Sequence, residues 1–335
     1  MISRKFIIWA CGLLFVFSSC AEDMVKPIEN DKDAPGTVQD VKTESLPGAV
    51  KFTYTLPSDP DLLYVLAKYT NKTGKVMEFR SSFYTNSVTV EGFGDTDTYK
   101  VELYTVDRSE NRSQPQIVEV APLTPPILSC YESLSVVSDF GGMTFEMDNK
   151  FKSDLAIYVC TPDELGDMVL AETFYSAREE IVYSVRGYDA VPRRFGIFLQ
   201  DKYGNETDTL FTELTPIYER ELDKTKFREM YLQNDSRVDS YDGKMEYVWN
   251  GRISKDGDSG GVGLHTGTGT KDGPAVFTFD LGVLAKLSRF ALWAIQDDKH
   301  FYNDMSPRRY EVWGCATEPN PDGSWDQWVK LLDME

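Results

Sequence analysis

Histidine is almost missing: His265 and His300 are the only two in 335 residues, and no cysteine stands beside either at metal-ligand spacing. A zinc-type His/Cys cluster is thereby excluded. The chain also lacks a Gly-x-Ser-x-Gly elbow, a phosphate-binding Gly loop and a dinucleotide fingerprint. Thr266-Gly267-Thr268-Gly269-Thr270 is Gly-rich, yet no Lys and no helical pattern follow it, so it reads as a loop. Basic residues are short as well. Against 54 Asp and Glu stand 35 Lys and Arg, a net charge of −19, and nucleic acid, which needs clustered cations, is excluded as a partner. An acidic surface favours solubility and suits uncharged ligands such as neutral glycans. So many acids create adjacent carboxylates by chance, so Asp297-Asp298 reads as solvated loop rather than a glycosidase pair. No enzyme is expected. No apolar run reaches the roughly 20 residues of a membrane-spanning helix.

Strand patterning is what the chain has. Short alternating runs rich in Val, Tyr, Phe and Thr are separated by Gly, Pro, Asn and Asp, and no long stretch carries a helical apolar period. Val50, Phe52 and Tyr54 share one strand face. Tyr99, Val101 and Leu103 share another, with Lys100 and Glu102 toward water. Asp107 and Asn111 recur as Asp201 and Asn205, 94 residues on, and the strands before them keep step: Val101 and Leu103 match Phe195 and Ile197, and Pro122 matches Pro216. That register predicts two copies of one β-sandwich, over residues 34–122 and 125–217. From about residue 225 the composition turns to Trp, Gly and Asp, which marks a further domain over 220–335.

The first residues have another purpose. Arg4 and Lys5 precede an apolar run over residues 6–17, then Ser18, Ser19 and Cys20; this is a secretory leader, residues 1–19, that is removed rather than folded. Cys11 leaves with it. Cys130, Cys160 and Cys315 remain beyond Cys20, and two readings stand: free buried thiols, or a Cys130–Cys160 bridge.

Several segments resemble known families. Ser18-Ser19-Cys20 resembles a bacterial lipobox, although Phe17 replaces the usual Leu; the resemblance implies an acylated Cys20 and a tether over residues 20–33, so that the membrane is reached by lipid alone. Ala21-Glu22-Asp23 resembles the export tag of Bacteroidetes lipoproteins that face outward from the outer membrane. The paired units, each with a strand running into an Asp-x-x-x-Asn turn, resemble fibronectin type III sandwiches. Tyr99 stands where a tyrosine corner would be and Arg193 replaces it in the second copy.

Phe279-Asp280-Leu281-Gly282, an apolar strand over 287–293 and Tyr310-Glu311-Val312 resemble the first half of a discoidin, or coagulation-factor type C, jelly roll. Its closing strands are missing, which leaves an incomplete domain with an unpaired edge. The whole order is similar to Bacteroidetes surface lipoproteins built from domains of unknown function that sit beside outer-membrane glycan importers. The fold class implied is all-β: two tandem fibronectin type III-like sandwiches followed by a partial discoidin-like jelly roll.

The loop of Gln296, Asp297, His300, Phe301, Tyr302 and Asn303 joins rings that stack on sugars to groups that hold their hydroxyls, and lies where discoidin-like modules place ligand contacts. Polysaccharide or oligosaccharide is the expected ligand, importer components the expected partners. An importer subunit with no sugar binding of its own is the alternative. A structural Ca²⁺ is implied at Asn250, Asp256 and Asp258, with Asn250 in place of the usual Asp.

Overall fold

A computed structural model describes residues 31–253 (Tyr241 by its backbone), 263–266, 274–294 and 307–334. Seven strands form the first sandwich: β1 (Gln39–Leu46), β2 (Ala49–Thr55), β3 (Leu62–Thr70), β4 (Val76–Ser82), β5 (Ser87–Glu91), β6 (Tyr99–Asp107) and β7 (Gln116–Val120). They make a three-stranded sheet, β1-β2-β5, and a four-stranded sheet, β4-β3-β6-β7. In β2, and in β6 as far as Leu103, every second residue is apolar, so Phe52, Val50, Val101 and Leu103 meet between the sheets with no exposed surface. Each such side chain contributes about 1.5–3 kcal/mol by leaving water.

A seven-residue helix, α1 (Pro126–Glu132), opens the second unit. Sequence reading found only a chain break over 122–126, because seven residues are too few to display a helical period. Pro126 at the first turn lacks an N–H that would have gone unpaired there anyway, and Ile127 and Cys130 are buried. Then come β8 (Ser135–Asp139), β9 (Gly142–Asp148), β10 (Leu155–Pro162), β11 (Met168–Ser176), β12 (Glu180–Arg186), β13 (Arg193–Asp201) and β14 (Leu210–Leu214). Their sheets, β8-β9-β12 and β11-β10-β13-β14, repeat the order of the first sandwich strand for strand. The fold is all-β and fibronectin-like in both copies, as expected. β13 and β14 lie 94 residues beyond β6 and β7, and β10 alternates buried and half-buried residues along its whole length.

The third region is less regular. β15 (Arg228–Met230) pairs with β16 (Thr278–Asp280), and β17 (Tyr310–Gly314) with β18 (Val329–Met334). The strand expected over 287–293 does not form: that stretch has no regular secondary structure, with Leu287, Phe290, Leu292 and Trp293 all more than two-fifths exposed. Among the described residues no strand lies alongside to take its backbone hydrogen bonds, and an unpaired run is not a sheet. Cys130, Cys160 and Cys315 are free, so no Cys130–Cys160 bridge forms. Burial pushes the Cys130 thiol up to about 11.

By packing, the described residues divide into two compact units. One takes the chain up to Val137 with Thr144–Val185 and Pro192–Leu214, and the other takes Ser138–Met143, Arg186–Val191 and the chain from Thr215.

Candidate functional site

Both sandwiches close their sixth strand with the same carboxylate-held turn. Asp107 Oδ1 accepts the N–H groups of Ser109 and Asn111, both at 2.8 Å, and Oδ2 accepts the Asn111 amide at 2.9 Å. Asp201 does the same for Tyr203, Asn205 and the Asn205 amide, at 2.9, 3.0 and 2.8 Å. One carboxylate thus satisfies three donors in each copy, which is why the Asp-x-x-x-Asn spacing recurs. At Glu110 and Gly204 the two turns share a left-handed residue, φ 64° and 85°. Tyr99 donates its hydroxyl to Asp95 Oδ1 at 2.8 Å, a carboxylate four residues upstream. Arg193, its counterpart, donates to Thr161 Oγ1 and Pro162 O at the end of β10.

The second turn also joins the two sandwiches. Asn205 Nδ2 donates to Gly92 O at 3.1 Å in a buried bond, and the Tyr203 hydroxyl donates to the Glu91 carboxylate. Tyr203 lies over Gly92, where a Cβ would come within 2.8 Å of its ring, and a Cβ on Gly94 would come within 2.6 Å of Asn205 Oδ1. Only glycine permits such an approach, and Gly92 sits at φ 85° besides. Beneath, Tyr69 stacks on Phe93 at 4.4 Å and donates to Glu91 O at 2.8 Å. Burial, then the Glu91 carboxylate, raises the Tyr203 hydroxyl far above its ordinary range, so it stays a donor.

Beside this junction a cleft of about 850 Å³ runs over the outer face of the second four-stranded sheet. Its lining includes Ala156, Tyr158, Tyr175 and Gln200, the charged Asp154 and Lys202, and Lys75 from the first sandwich. Tyr158 stacks on Phe198 at 4.7 Å and 11° and donates its hydroxyl to Gln200 Oε1 at 3.2 Å.

Of the residues singled out from sequence, Cys20, Gln296, Asp297, His300, Phe301, Tyr302, Asn303, Asp256 and Asp258 lie outside the described residues. Asn250 is described, and its Oδ1 accepts the Arg252 N–H at 2.8 Å. A single neutral oxygen already engaged is no calcium site by itself. Tryptophans of this region pack on other rings: Trp249 on Phe279 at 5.2 Å, and Trp325 on Trp313 and Trp328 at 4.9 and 6.0 Å. Trp293 is 60% exposed. Glu219 ties this region together, accepting from Ser288 at 2.7 Å and from Arg289 at 2.9 Å, with Arg186 at 3.6 Å. Burial works against its charge, but Ser288 and Arg289 prevail and hold the carboxyl below the ordinary range. Carboxylate oxygens of Asp31, Asp61 and Asp107 lie within 4.8 Å of one another, but Asp107 is taken by its turn and Asp31 by the Asn111 amide.

Sequence reading missed Ala156, Tyr175, Tyr203 and Gly92. The 94-residue offset placed Tyr203 in the turn, but Leu62 and Leu155, which face the two turn aspartates, stand 93 residues apart, and a bulge in the β3–β6 pairing brings Tyr64 and Ala156 to 92.

Three family models match the chain in succession. Each is described as a domain of unknown function: DUF4959 over residues 35–122, DUF5126 over 123–225 and DUF5000 over 249–335. No curated protein matches. Among solved structures, the SusE-like protein BT2857 is 98% identical over an alignment covering 35% of this chain and 66% of that one, with a TM-score of 0.33. This chain thus aligns with just under two thirds of that protein. A two-domain fibronectin type III segment of chicken tenascin is 12% identical, covers 54% of this chain and 99% of its own, and has a TM-score of 0.26. The FN5 domain of Drosophila Lar is 20% identical over 26% of this chain and 98% of its own, with a TM-score of 0.21.

Proposed function

We infer that the chain is a non-catalytic component of a cell-surface glycan-acquisition system. It is acylated at Cys20, anchored in the outer membrane facing outward, and uses its two sandwiches as a mount for a glycan-binding, discoidin-like region over 220–335. The observation that carries this reading is the glycine-tight junction, in which Tyr203 and Asn205 of one sandwich close on Gly92 and Gly94 of the other. A joint with a buried hydrogen bond and no room for a Cβ suits a module that positions something else, since domains otherwise move relative to one another by default. The 98% identity to a SusE-like protein over the aligned stretch supports the same role.

The test is a polysaccharide-panel binding assay, by calorimetry, with a thermal melt as folding control. Phe301→Ala and Tyr302→Ala are each expected to weaken binding by about 1–3 kcal/mol through lost stacking. His300→Ala should cost about 1–3 kcal/mol by leaving a partner unsatisfied. If all three bind like the wild type, the loop is not the contact. A wild type that binds no polysaccharide leaves the importer-subunit reading in its place.

A further inference from the structure

The repeat supplies its own control. On the outer face of the first sandwich, Tyr64 lies across from Ser82 and Val106; at the same register in the second, Ala156 lies across from Tyr175 and Gln200. Tyr64 fills its position, its hydroxyl bonded to Glu110 at 3.0 Å and its ring capped by Arg80 at 5.2 Å. Ala156 leaves the equivalent space open. The aromatic ring has moved to the adjacent strand, where Tyr175 stands 75% exposed.

Further along the face the same change repeats. The row Glu78–Lys68–Glu102–Ile117 becomes Leu170–Cys160–Gly196–Phe211. A Cβ on Gly196 would come within 2.9 Å of Phe211, so that ring lies over the glycine, with the Arg194 guanidinium 4.0 Å from its centroid. At this row one copy therefore presents charged side chains, and the other apolar ones with an exposed ring.

We propose that this trough on the second sandwich is a carbohydrate site taking a neutral oligosaccharide, with Tyr175 as its stacking platform and Asp154 as its hydroxyl partner. An exposed ring beside a small residue admits the flat apolar face of a pyranose, and a carboxylate in the same lining gives it direction. The cleft volume falls within the range of small-ligand sites, about 300–1,000 Å³. The lining sets Lys75 and Lys202 against Asp154 and Asp201, a balance of charge that favours an uncharged ligand over an anionic one. The assignment rests on the glycan-acquisition reading but is separate from the loop over 296–303.

The test uses the full chain without its leader against soluble amylopectin, xyloglucan, galactomannan and xylan, with polygalacturonate as the charged control. Tyr175→Ala is expected to raise the Kd for a bound neutral polysaccharide at least tenfold. Ala156→Tyr, which restores the first sandwich's residue, is expected to abolish the trough's share. Tyr175 is exposed enough for its loss to spare folding, and a thermal melt verifies both variants. Binding that survives both substitutions but falls in Phe301→Ala overturns the trough and leaves the broader reading standing. A wild type that binds none of the five overturns both. Preference for polygalacturonate overturns the neutral-ligand assignment. Recovery of an outer-membrane protein by wild type and not by Tyr175→Ala, without sugar binding, overturns the proposal in favour of a protein interface.

Discussion

Glycines and one glutamate carry the sharpest consequences at the scale of single residues. Gly92 is at φ 85° with the Tyr203 ring where its Cβ would be, so Gly92→Ala meets backbone strain and a clash together. Urea denaturation should show it less stable by about 1–3 kcal/mol; an unchanged midpoint would mean the sandwiches do not close there. Glu219 makes a pH prediction. Its folded pKa lies below the ordinary value of 4.5, so its stabilisation is fully present above that value and is lost as pH falls through the lower, folded one. Stability measured from pH 6 downward should therefore decline below about pH 4.5, and Glu219→Gln should flatten that part of the curve. A curve that Glu219→Gln leaves unaltered would assign the acid response to other carboxylates.

The turns that follow β6 and β13 show how an element is specified twice by one chemistry. Each depends on a carboxylate accepting three hydrogen bonds, so Asp107→Ala and Asp201→Ala should each cost about 1–3 kcal/mol, chiefly because two backbone N–H groups in each turn lose their acceptor. In Asp201→Ala the Asn205 amide also loses the group that aims it at Gly92, and hydrogen exchange at the junction should quicken. Equal protection in variant and wild type would uncouple the turn from the joint. These turns were legible in the sequence because their spacing is local. The strand leading into the second turn, β13, was legible too, through Phe195 and Ile197 in step with Val101 and Leu103, but β10 was not, nor which of its residues meet β13, since pairing across about 40 residues of chain is announced by no local spacing.

For the whole molecule, the anchor is the property to test. Metabolic labelling with a clickable fatty acid should mark the wild type and not Cys20→Ala, and external protease should digest the labelled protein on intact cells. Labelling that persists in Cys20→Ala would remove the anchor assignment. The third region draws the limit of reading by resemblance. Its motifs predicted strands at Phe279-Asp280-Leu281, over 287–293 and at Tyr310-Glu311-Val312, yet the apolar stretch over 287–293 has no regular secondary structure, and a strand exists only where a neighbour takes its hydrogen bonds.

The sequence by itself determined the β class, the tandem repeat with its duplicated turn, and the exclusion of zinc and nucleotide chemistry, since these depend on residue types, alternation and short spacings. Tertiary structure alone decided that Tyr203 and Asn205 reach Gly92 and Gly94, more than a hundred residues away in the chain. It also decided that Ala156 opens a trough that Tyr64 fills in the other copy. Both follow from strands brought side by side, where what a residue does is set by the partner across from it and not by the residues beside it in the chain.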